Sequence, residues 1–104
     1  MDSEEPIELG QVIASRSLEL DGREISLLIG IPRPFSDDVN FYCPFQLKGY
    51  GDERVRYAGG VDAMQALILC IDMASVYLET RPETLAGRLT WLGRIGVGAN
   101  ASLR

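Results

Sequence analysis

The chain has 104 residues, 46% of them hydrophobic, and a formal net charge of −5, as expected of one small soluble domain. Such an acidic chain repels phosphate backbones, so we expect no nucleic-acid partner. It has no histidine and its two cysteines lack CxxC spacing, which excludes histidine-based triads and the usual structural zinc or thioredoxin-like sites, so we expect no metal and no cofactor.

The chain begins with an acidic stretch. Residues 1–10 hold four acids and no base, and they show no hydrophobic periodicity. A secretory signal needs a basic start and an apolar run, so we expect a disordered lead-in and a cytoplasmic protein. In a reducing compartment Cys43 and Cys70 are predicted to be buried free thiols.

A β-hairpin is predicted over residues 11–31. Asp21-Gly22 is a turn pair that accepts the positive φ angles of a two-residue hairpin loop. With this loop Leu18 lies opposite Ile25, and the apolar side chains of both strands share one face.

Two further strands are predicted before the helix. Residues 32–40 are predicted to form a loop. From Phe41 to Lys48 apolar and other residues alternate, which predicts a third strand, and Pro44 within it indicates an edge position or a bulge. Residues 54–58 form a short fourth strand. The side chains predicted to face the core from it are those of Val55 and Tyr57. The aromatic side chains predicted to lie outside are those of Tyr42 and Tyr50.

Residues 61–80 are predicted to form one long helix. Its apolar half is predicted to be buried on a sheet, and polar residues interrupt it too often for a membrane span. The side chains predicted in that half are Ala63, Met64, Ala66, Leu67, Cys70, Ile71, Met73, Ala74, Tyr77 and Leu78. Ile68, Leu69 and Val76 lie among the polar residues instead, so we expect either a second copy of the helix or residues 85–97 to cover them. The glycine-rich tail is a poor cover, which favours the dimer.

The chain after the helix completes the predicted fold. Arg81-Pro82 ends the helix, residues 88–92 form a fifth strand, and residues 94–104 are a flexible tail. Residues 11–93 then make a single α+β domain, an antiparallel sheet of four to five strands with one long helix packed on one face, in the order β-β-β-β-α-β.

Several short motifs within residues 12–93 carry a family resemblance. They are Cys43-Pro44-Phe45, Gly49, Gly51-Asp52-Glu53, Arg56-Tyr57-Ala58, Gly60-Val61-Asp62-Ala63, Gln65-Ala66, Leu89 and Trp91-Leu92-Gly93. With these motifs the chain resembles a family of small bacterial proteins known only as a domain of unknown function. The resemblance implies a bacterial origin and a compact domain, and it assigns no site residue.

A glycine pair precedes the helix. Gly59-Gly60, with Arg54 and Arg56 just upstream, is a candidate anion site, because free N–H groups and the helix dipole favour negative charge there. Asp62 supplies such a charge from within the chain, and no Lys-Ser/Thr follows the glycines. We therefore favour the interpretation that the glycines form a tight turn and that the helix is capped from within the chain.

Two acidic pairs are the remaining candidates for catalysis. Asp37-Asp38 and Asp52-Glu53 could serve as an acid and a base or bind a hard metal ion. Both pairs lie in turn sequences, where aspartate bonds to nearby backbone, and we favour that role.

The function predicted from the sequence is a non-catalytic protein-interaction module that self-associates as a homodimer. Its candidate interaction surface is formed by Ile68, Leu69 and Val76, and no catalytic residue is assigned. The alternative is a small-ligand or anion-binding domain at the glycine pair and its two arginines.

Overall fold

The computed structural model describes residues 7–95. It contains one antiparallel sheet of seven strands and one long helix packed against it, so the predicted α+β class is confirmed. The elements in chain order are β1 (Val12–Leu20), β2 (Arg23–Gly30), β3 (Arg33–Pro34), β4 (Phe41–Lys48), β5 (Arg56–Gly60), α1 (Ala63–Glu79), α2 (Pro82–Leu85), β6 (Leu89–Trp91) and β7 (Arg94–Ile95). The sequence prediction missed the two-residue strands β3 and β7.

Across the sheet the strands run β5-β4-β2-β1-β6-β7, and β3 pairs with β4 beyond the end of β2. The β1–β2 hairpin has the predicted register, with Leu18 opposite Ile25 and the Asp21-Gly22 turn in the left-handed region. No helix among residues 7–95 is long and apolar enough to cross a bilayer. Residues 1–6 of the predicted lead-in and 96–104 of the predicted tail lie outside the described residues.

Pro44 lies in an internal strand, because β4 pairs with β2 and β3 on one side and with β5 on the other. Of the two alternatives predicted for Pro44, an edge position or a bulge, the edge position is therefore wrong. On the β2 side, pairing stops at Phe45 opposite Ile29 and resumes at Tyr42 opposite Arg33. Pro44 lies at this break. None of residues 7–95 pairs with it on this side of β4, so the N–H that proline lacks is not needed for a ladder hydrogen bond.

The core has two connected parts. The first lies under the C-terminal half of α1 and consists of Leu18, Leu20, Ile25, Leu47, Leu78 and Leu89. The second lies between α1, β4 and β5 and consists of Ile29, Cys43, Phe45, Ala58, Ala66, Cys70 and Ala74. Both cysteines are free and buried, and burial raises the pKa of both thiols.

Helix α1 contacts the sheet through a narrow stripe spaced four residues apart: Ala66, Cys70, Ala74 and Leu78. The small side chains of this stripe bring the helix close to β4 and β5. The predicted burial of a whole helix half is wrong at its margins. The side chains that are exposed instead are Ala63, Met64, Ile71 and Met73.

Strand β5 also differs from the prediction. It begins two residues later than expected, and Ala58 faces the core while Tyr57 faces outward. The predicted inward orientation of Tyr57 is therefore wrong. Tyr50, predicted outside, is half-buried against the first core part and donates a hydrogen bond of 2.8 Å to Glu83 Oε1.

An ion pair joins the hairpin turn to the residue before β6. Arg88 Nε donates to Asp21 Oδ1 at 3.0 Å, and this hydrogen bond holds the pKa of Asp21 below its usual value of 3.8. Because the folded pKa is lowered, the stabilisation is present above pH 3.8 and is lost as the pH falls through the folded pKa.

We therefore expect Asp21→Asn to be less stable than wild type at neutral pH, with a difference that shrinks in acid. Asparagine tolerates the positive φ of 53° at this position, so the turn itself is preserved. Urea unfolding of both proteins at neutral pH and well below the usual aspartate pKa measures the change. A difference that is the same at both pH values would contradict this assignment.

Candidate interaction surface

Strand β5 presents a free backbone edge. Hydrogen-bonded and non-hydrogen-bonded pairs alternate along an antiparallel ladder. Pro44 pairs with Tyr57 but has no N–H, so the ladder bonds lie at the neighbouring pairs, where Ala58 is opposite Cys43. The N–H and C=O groups of Tyr57, and by alternation of Gly59, therefore point away from β4. Among residues 7–95 no strand pairs with this edge.

An apolar groove of about 540 Å³ lies between this edge and α1. Its floor is Ala58 and Gly59, and its helical wall carries Leu69, Met73 and Val76, which are 40%, 45% and 62% exposed. Asp72 and Tyr77 complete the lining. We call these lining residues the β5 groove.

The residues of the interaction surface predicted from the sequence lie on two different flanks of α1. All three residues are exposed, but only Leu69 and Val76 line the β5 groove. Ile68 lies on the opposite flank with Ile71 and Ser75, by its spacing of three and seven residues from them. That flank borders a smaller cleft of about 170 Å³ above β1 and β2.

The tail was the predicted cover for these residues within one chain. Strands β6 and β7 lie beyond β1, at the edge of the sheet opposite to β5. Accordingly, no residue of the described segment 85–95 lines the β5 groove. The groove is open in the part of the chain that the structure describes; residues 96 and 97 of the predicted cover lie outside it.

The two candidate anion-binding arginines are both paired with Asp52. Arg54 and Arg56 donate to Asp52 Oδ2 at 3.2 and 3.1 Å. Arg56 lies on the side of β5 that faces α1, where its guanidinium is 4.5 Å from the centre of the Tyr77 ring. Arg81 lies at the same distance from that ring, so cations flank Tyr77 at one end of the β5 groove.

The glycine pair belongs to β5 and does not open the helix. The cap of α1 is Asp62, whose Oδ1 accepts from the Gln65 N–H at 2.8 Å, while Gln65 Oε1 accepts from the Val61 N–H at 2.8 Å. This arrangement resembles a capping box and caps the helix start from within the chain. Gly60 packs against α1: a Cβ there would lie 2.6 Å from the Ala66 nitrogen.

An aromatic cluster on the outer sheet face was missed by sequence reasoning. The rings of Phe35, Tyr42 and Tyr57 lie 5.0 to 6.0 Å apart in tilted and edge-to-face contacts. It forms because Tyr57 faces outward, and Phe35 also lies beside Gly59. The three rings pack against one another, so the cluster stabilises the outer face of β4 and β5.

The acidic pairs make local turn contacts. Asp37 Oδ1 accepts from the backbone N–H groups of Val39 and Asn40. Glu53 accepts from the Gly49 N–H and the Lys48 ammonium, which lower its pKa, and a backbone bond from Arg54 is the main cause of the lowered pKa of Asp52. Among the described residues no acidic or cysteine cluster is arranged to hold a metal ion.

These features define the class of protein: a small α+β domain with an unpaired sheet edge beside an apolar groove. The chain belongs to the DUF6968 family, a domain of unknown function, whose family model matches residues 14–101. No curated protein and no solved structure matches the chain.

Proposed function

We propose that the protein is a non-catalytic interaction domain that self-associates through the β5 groove and the free edge of β5. The observation that supports it is the coincidence of the two features: apolar side chains of α1 lie directly beside unpaired backbone of β5. Apolar side chains left in water forgo about 25 cal/mol per Å² of burial, and an open strand edge leaves polar backbone ready to pair. A second copy satisfies both at once.

The outer edge of β5 has few of the features that usually protect an edge strand, although the strand is short and contains Arg56. It has no lysine, no proline and no bulge, and Tyr57 and Gly59, whose backbone is free, carry no charge. Strand β6 covers only Glu19 and Leu20 of the outer edge of β1, but that edge is interrupted by a bulge between Val12 and Ala14, and the cleft above β1 is smaller than the β5 groove. Strand β5 is therefore the edge better suited to an interface.

Sedimentation equilibrium tests the proposal. We expect wild type to dimerise and Val76→Glu to weaken the dimer at least about tenfold, because a charge would be buried in the β5 groove. The matched control is Leu85→Glu, which changes an even more exposed apolar residue on α2 and should leave the dissociation constant unchanged. A wild-type protein that stays monomeric at high concentration would overturn the proposal.

The alternative is anion binding by Arg54 and Arg56 near Gly59 and Gly60. It requires the two arginines to release Asp52, which they now share. A rise in melting temperature with inorganic phosphate that disappears in Arg56→Gln would favour this alternative over the interaction domain.

A further inference from the structure

We infer that the partner is a second copy of this chain, bound by antiparallel pairing of two β5 strands about a two-fold axis through Ala58. The inference rests on the proposed self-association and adds its geometry. The product is one continuous sheet across both copies, with the two α1 helices side by side on the same face.

The backbone of β5 restricts the register to shifts of an even number of residues, and among these an axis at Ala58 is the one that pairs both outward-pointing residues of the strand. The groups that point outward are the N–H and C=O of Tyr57 and Gly59, with Ala58 between them. A two-fold axis at Ala58 sets Tyr57 opposite Gly59 of the partner subunit, so both pairs exchange two hydrogen bonds each. A shift of one residue would place backbone groups already bonded to β4 at the interface.

The position of α1 agrees with this axis. Its buried stripe packs on β4 and β5 together, so the helix axis lies over that strand pair. Strands are about 4.8 Å apart, and the two-fold axis lies half a spacing outside β5. The two helix axes would then be about 10 Å apart, within reach of direct packing through Leu69, Met73 and Val76.

Side chains at the interface are complementary in size and charge. Tyr57 is an exposed aromatic side chain that would face Gly59 of the partner subunit, which has no side chain of its own and lies beside an aromatic ring, that of Phe35. Arg54 and Asp62 are each four residues from Ala58 in opposite directions. The two-fold axis therefore brings Arg54 towards Asp62 of the partner subunit, a pair of opposite charges, on both sides of the dyad.

Amide hydrogen exchange on the unmodified protein tests the register. Above the dimer dissociation constant we expect the Tyr57 and Gly59 amides to exchange at least about tenfold more slowly than below it. The Ala58 amide bonds to β4 in either state and should change little. A dimer whose Tyr57 and Gly59 amides show no concentration dependence would overturn this geometry and leave the proposed self-association standing.

A proline variant provides a second, independent measurement. Tyr57→Pro removes the outward N–H without removing a bond to β4, and the matched Tyr57→Ala removes the same ring but keeps the N–H. We expect Tyr57→Pro to dimerise at least about tenfold more weakly than Tyr57→Ala, with both folded by circular dichroism. Equal dissociation constants for the two folded variants would contradict strand pairing at this edge.

Discussion

Replacing Gly60 with alanine is expected to destabilise the fold by about 1–3 kcal/mol, the usual cost of overpacking a packed site. The added Cβ would lie 2.6 Å from the Ala66 nitrogen and 3.0 Å from its Cα. These are backbone atoms of α1, so the helix itself must move away from β5. Urea unfolding at low protein concentration measures the loss.

Gly59→Ala is the matched control for this substitution. A Cβ at Gly59 would meet no heavy atom closer than 3.7 Å, in ordinary contact with Phe35 and the Phe41 carbonyl. We expect its effect on the free energy of unfolding to be within about 0.5 kcal/mol. Equal effects at both glycines would show that Gly60 is not the contact point between β5 and α1.

Leu78→Ala is expected to cost about 2–5 kcal/mol, the range for truncating a fully buried leucine. Leu78 is 1% exposed and joins α1 to the first core part, where it packs with leucines from β1, β4 and β6. The cavity would be enclosed by the sheet, so little relaxation can fill it. A domain of this size has only about 5–15 kcal/mol of stability in total, so the melting temperature should fall clearly.

Val76→Ala, two residues earlier on the same helix, is the control for Leu78→Ala. Its side chain is exposed in the monomer, and alanine favours the helix, so we expect a change of about 0.5 kcal/mol or less. Comparable losses at both positions would mean that α1 does not pack on the sheet as described. Thermal unfolding followed by circular dichroism, at low concentration, distinguishes the two results.

Much of the fold follows from local sequence patterns. The Asp21-Gly22 turn fixes the β1–β2 register, because a slip by one residue would set Leu18 against a glutamate. The alternation from Phe41 to Lys48 marks β4 without ambiguity. These signals are local, so no knowledge of the rest of the chain is needed to interpret them.

The orientation of β5 could not be predicted from its own residues. Hydrophobicity favours Tyr57 as the inward residue, whereas the close approach of α1 requires small side chains, Ala58 and Gly60, on that face. Arg56 can share the inward side because Tyr77 and Asp52 hold its guanidinium. The small residues Ala58 and Gly60 are the available signal in this segment, but the aromatic ring of Tyr57 gives the stronger hydrophobic one.

The candidate surface was predictable only in part. Helical spacing identifies Ile68, Leu69 and Val76 as apolar residues outside the buried stripe. It does not reveal that Met73 joins two of them, because that depends on the helix lying over β4 and β5 at one side of the sheet. The free edge of β5 depends on strand order, which is a non-local property of the chain.

The reactivity of the two buried cysteines reports on the separation of α1 from the sheet. Cys70 on α1 lies next to Cys43 on β4, and neither sulfur is accessible while helix and sheet remain in contact. A thiol-specific alkylating reagent can react only during moments when α1 lifts from the sheet. In native buffer the alkylation rate of the unmodified chain therefore measures how often α1 separates from the sheet. If a dimer held α1 against the sheet, the rate would fall as the protein concentration rises.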